Sequence, residues 1–171
     1  MSTLDLIYVT TGRHPEVEKA ICEVTDSVYA HAAVGITIEG EYKIVEATGE
    51  GVKIKDGNLY DGCKTLQIIK LPIAEEQRRA VALKAISMAG MQYGKDDCVV
   101  SAIRDRWGLR AAEFVACIID NPQTIQCSGL QVDLTRAAYQ DFAGTDPAPF
   151  YTPEHARQHA VEYAGILGVA V

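Results

Sequence analysis

Two side chains able to make and break acyl bonds together stand far apart in this chain. Cys127 lies in Thr124-Ile-Gln-Cys-Ser-Gly-Leu130, and His31 heads the run His31-Ala-Ala-Val-Gly-Ile-Thr-Ile38. The cysteine falls where a helix is predicted to begin. There unpaired N–H groups and the positive end of the helix dipole stabilise a thiolate and a developing oxyanion. An unperturbed thiol, with a pKa of about 8.5, is only slightly ionised at neutral pH and needs a base beside it. Of the four histidines, only His31 lies inside a strand-like run, which holds an imidazole more rigidly than a loop would.

Glu46, on the next strand, is positioned to accept the other imidazole N–H, fixing the tautomer and supporting the imidazolium. With a turn centred on Gly40, Glu46 pairs nearer Val34 than His31, so its role depends on register. Gln123, Gln126 and Tyr93 are all candidates to complete an oxyanion hole, and Ser128 adjoins the thiol as a further candidate contact.

Blander roles compete for the same residues. A free cysteine is most often a small buried hydrophobe, and Glu46 could face solvent. Cys98, following Asp97 at a predicted helix start, is a rival nucleophile with His155 or His159 as base, although both histidines sit on a predicted helix. His155 and His159 are four apart, a spacing that can hold a metal, but no HExxH pattern surrounds them and no third ligand is evident. Neither a metal nor an organic cofactor is expected.

The elements that must position these residues follow from local patterning. Leu4 to Thr11 is β-branched and aromatic and ends at Gly12, as a strand does. From Pro15 the apolar positions Val17, Ile21, Val24 and Val28 recur at helical spacing, predicting a helix to about Val28. His31 to Ile38 and Tyr42 to Ala47 read as a hairpin about Glu39-Gly40-Glu41. Further strands are predicted over Gly51 to Lys55 and Thr65 to Leu71, giving an antiparallel sheet of about four strands in the middle of the chain.

After Pro72 the pattern turns helical: Ala74 to Met88, Asp97 to Trp107, Arg110 to Ile118, Cys127 to Phe142, and a last helix capped by Thr152-Pro153-Glu154. The fold class is α+β: an antiparallel sheet or barrel packed against helices, with the nucleophile at a helix N-terminus. One domain over residues 1–171 accommodates it, since no linker, repeat or low-complexity tract interrupts the chain.

Composition narrows the partners. Hydrophobic residues are 48% and charged residues 23% of the 171, the balance of a folded domain. A net charge of −7 argues against a nucleic-acid partner, which needs a basic surface. No apolar run approaches the roughly 20 residues of a membrane span, and Met1 to Gly12 lacks a signal-type leader, so the chain as given is expected to be cytoplasmic. Five cysteines without a CxxC pair predict free thiols in place of a disulfide framework or zinc site.

The residues also carry a resemblance. Thr25-Asp-Ser-Val-Tyr-Ala-His-Ala-Ala-Val-Gly-Ile36, Ile44-Val-Glu-Ala47, Gly51-Val52, Cys127-Ser-Gly-Leu130 and Thr152-Pro153, taken in order, resemble the circularly permuted NlpC-type papain-like enzymes of the YaeF/YiiX-like group. In that group a histidine hairpin precedes the cysteine helix. The resemblance implies a papain-like fold, Cys127 as nucleophile, His31 as base and Glu46 as third member. It further implies cleavage of an amide bond in a cell-wall peptide or related acyl amide, and it leaves open acyl transfer on the same fold or an inactive binding module. Gln126 and Gly129 stand where the family often has an aromatic and an acidic residue, and Cys-Ser-Gly-Leu is similar to the unpermuted NlpC enzymes.

Overall fold

The computed structural model describes residues 2–95, 98, 103, 108, 110, 124–145, 147 and 151–171. Five strands form one antiparallel sheet: β1 (Ser2–Thr10), β2 (His31–Ile38), β3 (Glu41–Thr48), β4 (Gly51–Asp56) and β5 (Thr65–Ile73), in the order β4-β3-β2-β1-β5. β4 and β5 lie at opposite ends of the sheet and do not pair with one another, so among the described residues it does not close into a barrel. The first strand lies between β2 and β5, adding a member to the four-stranded expectation. Its run from Leu4 to Val9 is buried on both faces, as a near-continuous apolar strand should be. Pro72 falls on edge strand β5, where its missing N–H costs no ladder bond toward a further strand.

The β2–β3 hairpin turns on Glu39 and Gly40, both with positive φ (51° and 85°), the requirement of the tight turn that matches strand twist. Ile38 then pairs with Glu41, and counting back sets Glu46 opposite Ala33, one residue from the expected Val34. Because side chains alternate, that single step decides the face: Glu46, Ala33 and His31 lie on the same side of the sheet.

Among the described residues four helices accompany the sheet: α1 (Pro15–Thr25), α2 (Glu75–Met88), α3 (Cys127–Ala138) and α4 (Pro153–Ile166). A short parallel pair, β6 (Gln92–Tyr93) and β7 (Thr124–Ile125), leads into α3. One face of the sheet, with Leu6, Tyr8, Val34 and Val45, joins Val81, Leu130, Leu134 and Ala160 of the helices in the main core. The other face holds a smaller cluster in which Tyr60, from the loop after β4, covers Ile7, Val9, Ala33 and Ile44. Gln131, fully buried on α3, donates through Nε2 to the carbonyls of Ala33 (2.8 Å) and Ile7 (3.3 Å), pinning that helix to β1 and β2.

Two helices end earlier than their periodicity predicts. α1 stops at Thr25 because Asp26 takes a left-handed conformation (φ 47°), and the Ser27 N–H closes on the Cys22 carbonyl at 3.0 Å. α3 stops at Ala138, where Tyr139 turns extended, although Phe142 beyond it is buried. The helices expected over Asp97 to Trp107 and Arg110 to Ile118 lie largely outside the described residues.

Candidate functional site

The site assembles at the junction of the sheet with the N-terminus of α3. His31 is the first residue of β2, and Cys127 is the first of α3. Glu46, 2% exposed, reaches diagonally across the hairpin so that its Oε2 lies 3.1 Å from His31 Nε2. The Tyr60 hydroxyl donates to the same oxygen, and Lys55 Nζ sits 2.7 Å from Oε1. Burial alone would raise the Glu46 pKa. Hydrogen bonds from His31, Lys55 and Tyr60, with the imidazole charge, instead hold it down at about 2. Tyr60, buried and facing that carboxylate, is pushed well above the usual phenol range and stays a proton donor.

The opposite side of the imidazole meets the thiol. Cys127 is 4% exposed and hydrogen-bonded to the His31 ring, while the N–H groups of Ala32 and Ser128 point at its sulfur. With Nε2 engaged by Glu46, Nδ1 is the nitrogen left for Cys127. Burial opposes charge on both partners. For Cys127 the His31 charge, the hydrogen bond from the ring and the two backbone donors win, drawing the thiol below its ordinary value. For His31 the Cys127 charge and hydrogen bond, then Glu46, raise the pKa to about 9. The resting form this favours is a thiolate–imidazolium pair.

A cavity of about 420 Å³ opens over the thiol, within the range of small-molecule sites. Its walls are Val17, Ala20, Ile21 and Val24 of α1 together with Tyr93 and Gln126, and almost all of that lining is apolar. The stripe that patterning assigns to the apolar face of α1 therefore faces this cleft, with Val17 60% and Val24 58% exposed. Glu18, on the same helix, folds back to accept from Gly12 N (2.7 Å), Thr11 N (3.2 Å) and the Thr11 hydroxyl (2.5 Å), tying α1 to the end of β1.

The other expected contacts distribute unevenly. The Tyr93 hydroxyl touches both Cys127 and the Cys98 sulfur (3.4 Å), and burial with the nearby thiols keeps it protonated far above the normal phenol range. Gln126, also in the cleft wall, donates through Nε2 to the Tyr151 carbonyl at 2.8 Å, and Ser128 Oγ donates to the same oxygen at 2.5 Å. Both side chains thereby anchor the start of α3. Gln123 and Asp97 lie outside the described residues. His155 and His159 ride on α4, where His159 pairs with Glu162 (3.6 Å) and edges the Tyr151 ring.

Lys55 and Tyr60, the other two partners of Glu46, are not evident from the sequence. Lys55 alternates with Ile54 on β4, a weak signal for the face shared with Glu46, whereas Tyr60 is embedded among turn residues and carries no periodic signal at all. Among the described residues no three His, Cys, Asp or Glu side chains converge as a metal site, and no helix is long and apolar enough to cross a membrane.

No family model matches this chain, and no curated protein matches it. Among solved structures it is similar to metalloprotein YiiX from Escherichia coli O157:H7 (DUF1105), with a TM-score of 0.56 and 17% identity, covering 81% of this chain and 67% of that one. The likeness is one of fold.

Proposed function

We propose that this protein is a cysteine-dependent acyl hydrolase acting on an amide whose acyl part is apolar. The reading rests on one observation: Cys127, His31 and Glu46 form a continuous hydrogen-bonded line whose sulfur end borders an apolar cavity. In this mechanism the Cys127 thiolate attacks the carbonyl carbon, forming a C–S bond and moving the π electrons onto oxygen. The N-terminus of α3 and the Tyr93 hydroxyl border the space where that oxyanion develops. The His31 imidazolium gives its proton to the leaving nitrogen as the C–N bond breaks, leaving a thioester. His31, now neutral, takes a proton from water, whose oxygen displaces the thiolate and releases the acid. Glu46 keeps the imidazole oriented and favours its cationic form throughout.

The structural neighbour is described as a metalloprotein, and the donor set here fits a metal poorly. Glu46 engages one imidazole nitrogen, the thiol takes the other, and no third ligand converges among the described residues. No step is assigned to a metal.

The test is an activated apolar acyl ester, with intact-protein mass spectrometry following the acyl-enzyme. The expected result is one acyl group on Cys127 that decays with water, absent from Cys127→Ala. Equal acylation of the variant would refute the assignment, and decay only in the presence of an added amine or alcohol would make the enzyme a transferase.

A further inference from the structure

Among the described residues, the face of the sheet turned away from the helices is only half covered. Tyr60 shields the end near His31. Beyond it a second cavity of about 420 Å³ lies open, bounded by β1, β5 and the start of β3. At its floor is Asp5, a carboxylate on the central run of β1 and only 4% exposed. One oxygen, Oδ2, accepts from the Tyr42 hydroxyl at 2.8 Å and has Lys70 Nζ at 3.8 Å, beyond hydrogen-bond length. The other, Oδ1, is buried with no partner among the described residues. A buried carboxylate oxygen left without a donor is costly, more so than a neutral group in the same place.

The surroundings are shaped to keep this arrangement. A Cβ at Gly35 would lie 1.9 Å from the Tyr42 hydroxyl oxygen, and one at Gly57 would lie 2.3 Å from Tyr42 Cδ1. Two glycines thus leave the room in which the Tyr42 ring lies across the sheet to reach Asp5. Ile68, 42% exposed, and Leu66, 37% exposed, supply an apolar wall on the edge strand. The site combines a buried acceptor lacking a donor, an aromatic ring beside it and an apolar rim. Such a combination suits a cation with N–H donors on a hydrophobic body.

We propose that this cavity binds a small organic ammonium, a primary amine on an apolar or aromatic body, whose N–H group donates to the Asp5 carboxylate. Lys70 occupies the rim as a like charge and weakens such a ligand. The site is separate from the Cys127 cleft and does not depend on the acyl-transfer reading.

The experiment is a titration of the isotope-labelled protein with phenethylamine, followed by amide chemical shifts. Saturable shifts are expected at Asp5, Tyr42 and Ile68. The neutral analogue 2-phenylethanol should bind at least about tenfold more weakly, the loss of one charge-assisted hydrogen bond. Asp5→Asn should weaken the amine by a similar factor, whereas Lys70→Met should tighten it. Ile68→Trp, at an exposed edge position, fills the cavity with Asp5 intact and should abolish the shifts, which covers the case in which Asp5→Asn folds poorly. Cys127→Ala should bind the amine as the natural chain does. Equal affinity for the amine and the alcohol, unchanged binding by Asp5→Asn or Ile68→Trp, or no saturable shift would overturn the proposal.

Discussion

Glu46→Gln keeps the shape of the third member while removing its charge, so it isolates what that charge does to the imidazole. Glu46 Oε2 stands 3.1 Å from His31 Nε2, and the pair is nearly dry, with side chains 3% and 16% exposed. At an effective dielectric near 20, two unit charges at that spacing interact by at most about 5 kcal/mol. Opposite charges this close commonly shift a pKa by roughly 1–3 units, or about 1.4–4 kcal/mol. Without the carboxylate, His31 should fall from about 9 by roughly that 1–3 units.

The sign follows from which proton each partner keeps. The ion pair exists above the pKa of Cys127, which must lose its proton, and below that of His31, which must retain its own. Removing the Glu46 charge lowers the upper edge of that window. The lower edge moves little, and downward, because the imidazolium is present on both sides of it and the carboxylate charge opposes the nearby thiolate. The assay is the second-order rate of Cys127 alkylation by iodoacetate as a function of pH. This anionic reagent favours a thiolate that still has its imidazolium neighbour, giving a bell whose limbs report the two ionisations. The Glu46→Gln bell should be narrower, with its alkaline limb displaced downward by about 1–3 pH units. An alkaline limb that stays in place, in a variant with native near-ultraviolet circular dichroism, would refute the role given to Glu46.

Val24→Lys should leave stability within about 0.5 kcal/mol, since Val24 is exposed, yet charge the cleft wall. Acylation by an octanoyl ester relative to an acetyl ester should drop about tenfold, the worth of nearly two buried methylenes. Gly35→Ala drives a methyl into the Tyr42 hydroxyl and breaks its bond to Asp5, so urea denaturation should show a loss of about 1–3 kcal/mol. Gln131→Leu withdraws the donor shared by the Ile7 and Ala33 carbonyls, and a loss of similar size, about 1–3 kcal/mol, is expected in the same assay.

The hairpin shows how far the sequence carries. Its strands and its Glu39-Gly40 turn are legible from alternation and turn chemistry, and the pairing of a helix-start cysteine with a strand-start histidine is legible from their order. Register is harder to read. Placing Glu46 opposite Val34 or opposite Ala33 is a difference of one residue, and it reverses which face the carboxylate occupies. The positive φ of Glu39, a residue that turn statistics do not favour there, decides the matter.

Tyr60 is illegible for another reason. Its contact with Glu46 is made by a loop folding over the sheet, and no local periodicity encodes where a loop lands. The apolar stripe of α1 illustrates a third limit: the pattern marks a face to be kept from water without saying whether protein or ligand covers it.

The strand and the helix that meet at the thiol come from well-separated stretches of sequence. His31, Glu46, Lys55 and Tyr60 belong to the sheet and its loop, whereas Cys127 arrives on α3, seated there by Gln131. The sulfur acquires its unusual acidity only when that helix docks. Before docking, or after local opening, Cys127 is an ordinary thiol with a pKa of about 8.5 and correspondingly sluggish at neutral pH. Its alkylation rate at neutral pH therefore gauges native assembly. A chain with every strand in place but α3 unseated would register as folded by its sheet and as unfolded by its sulfur.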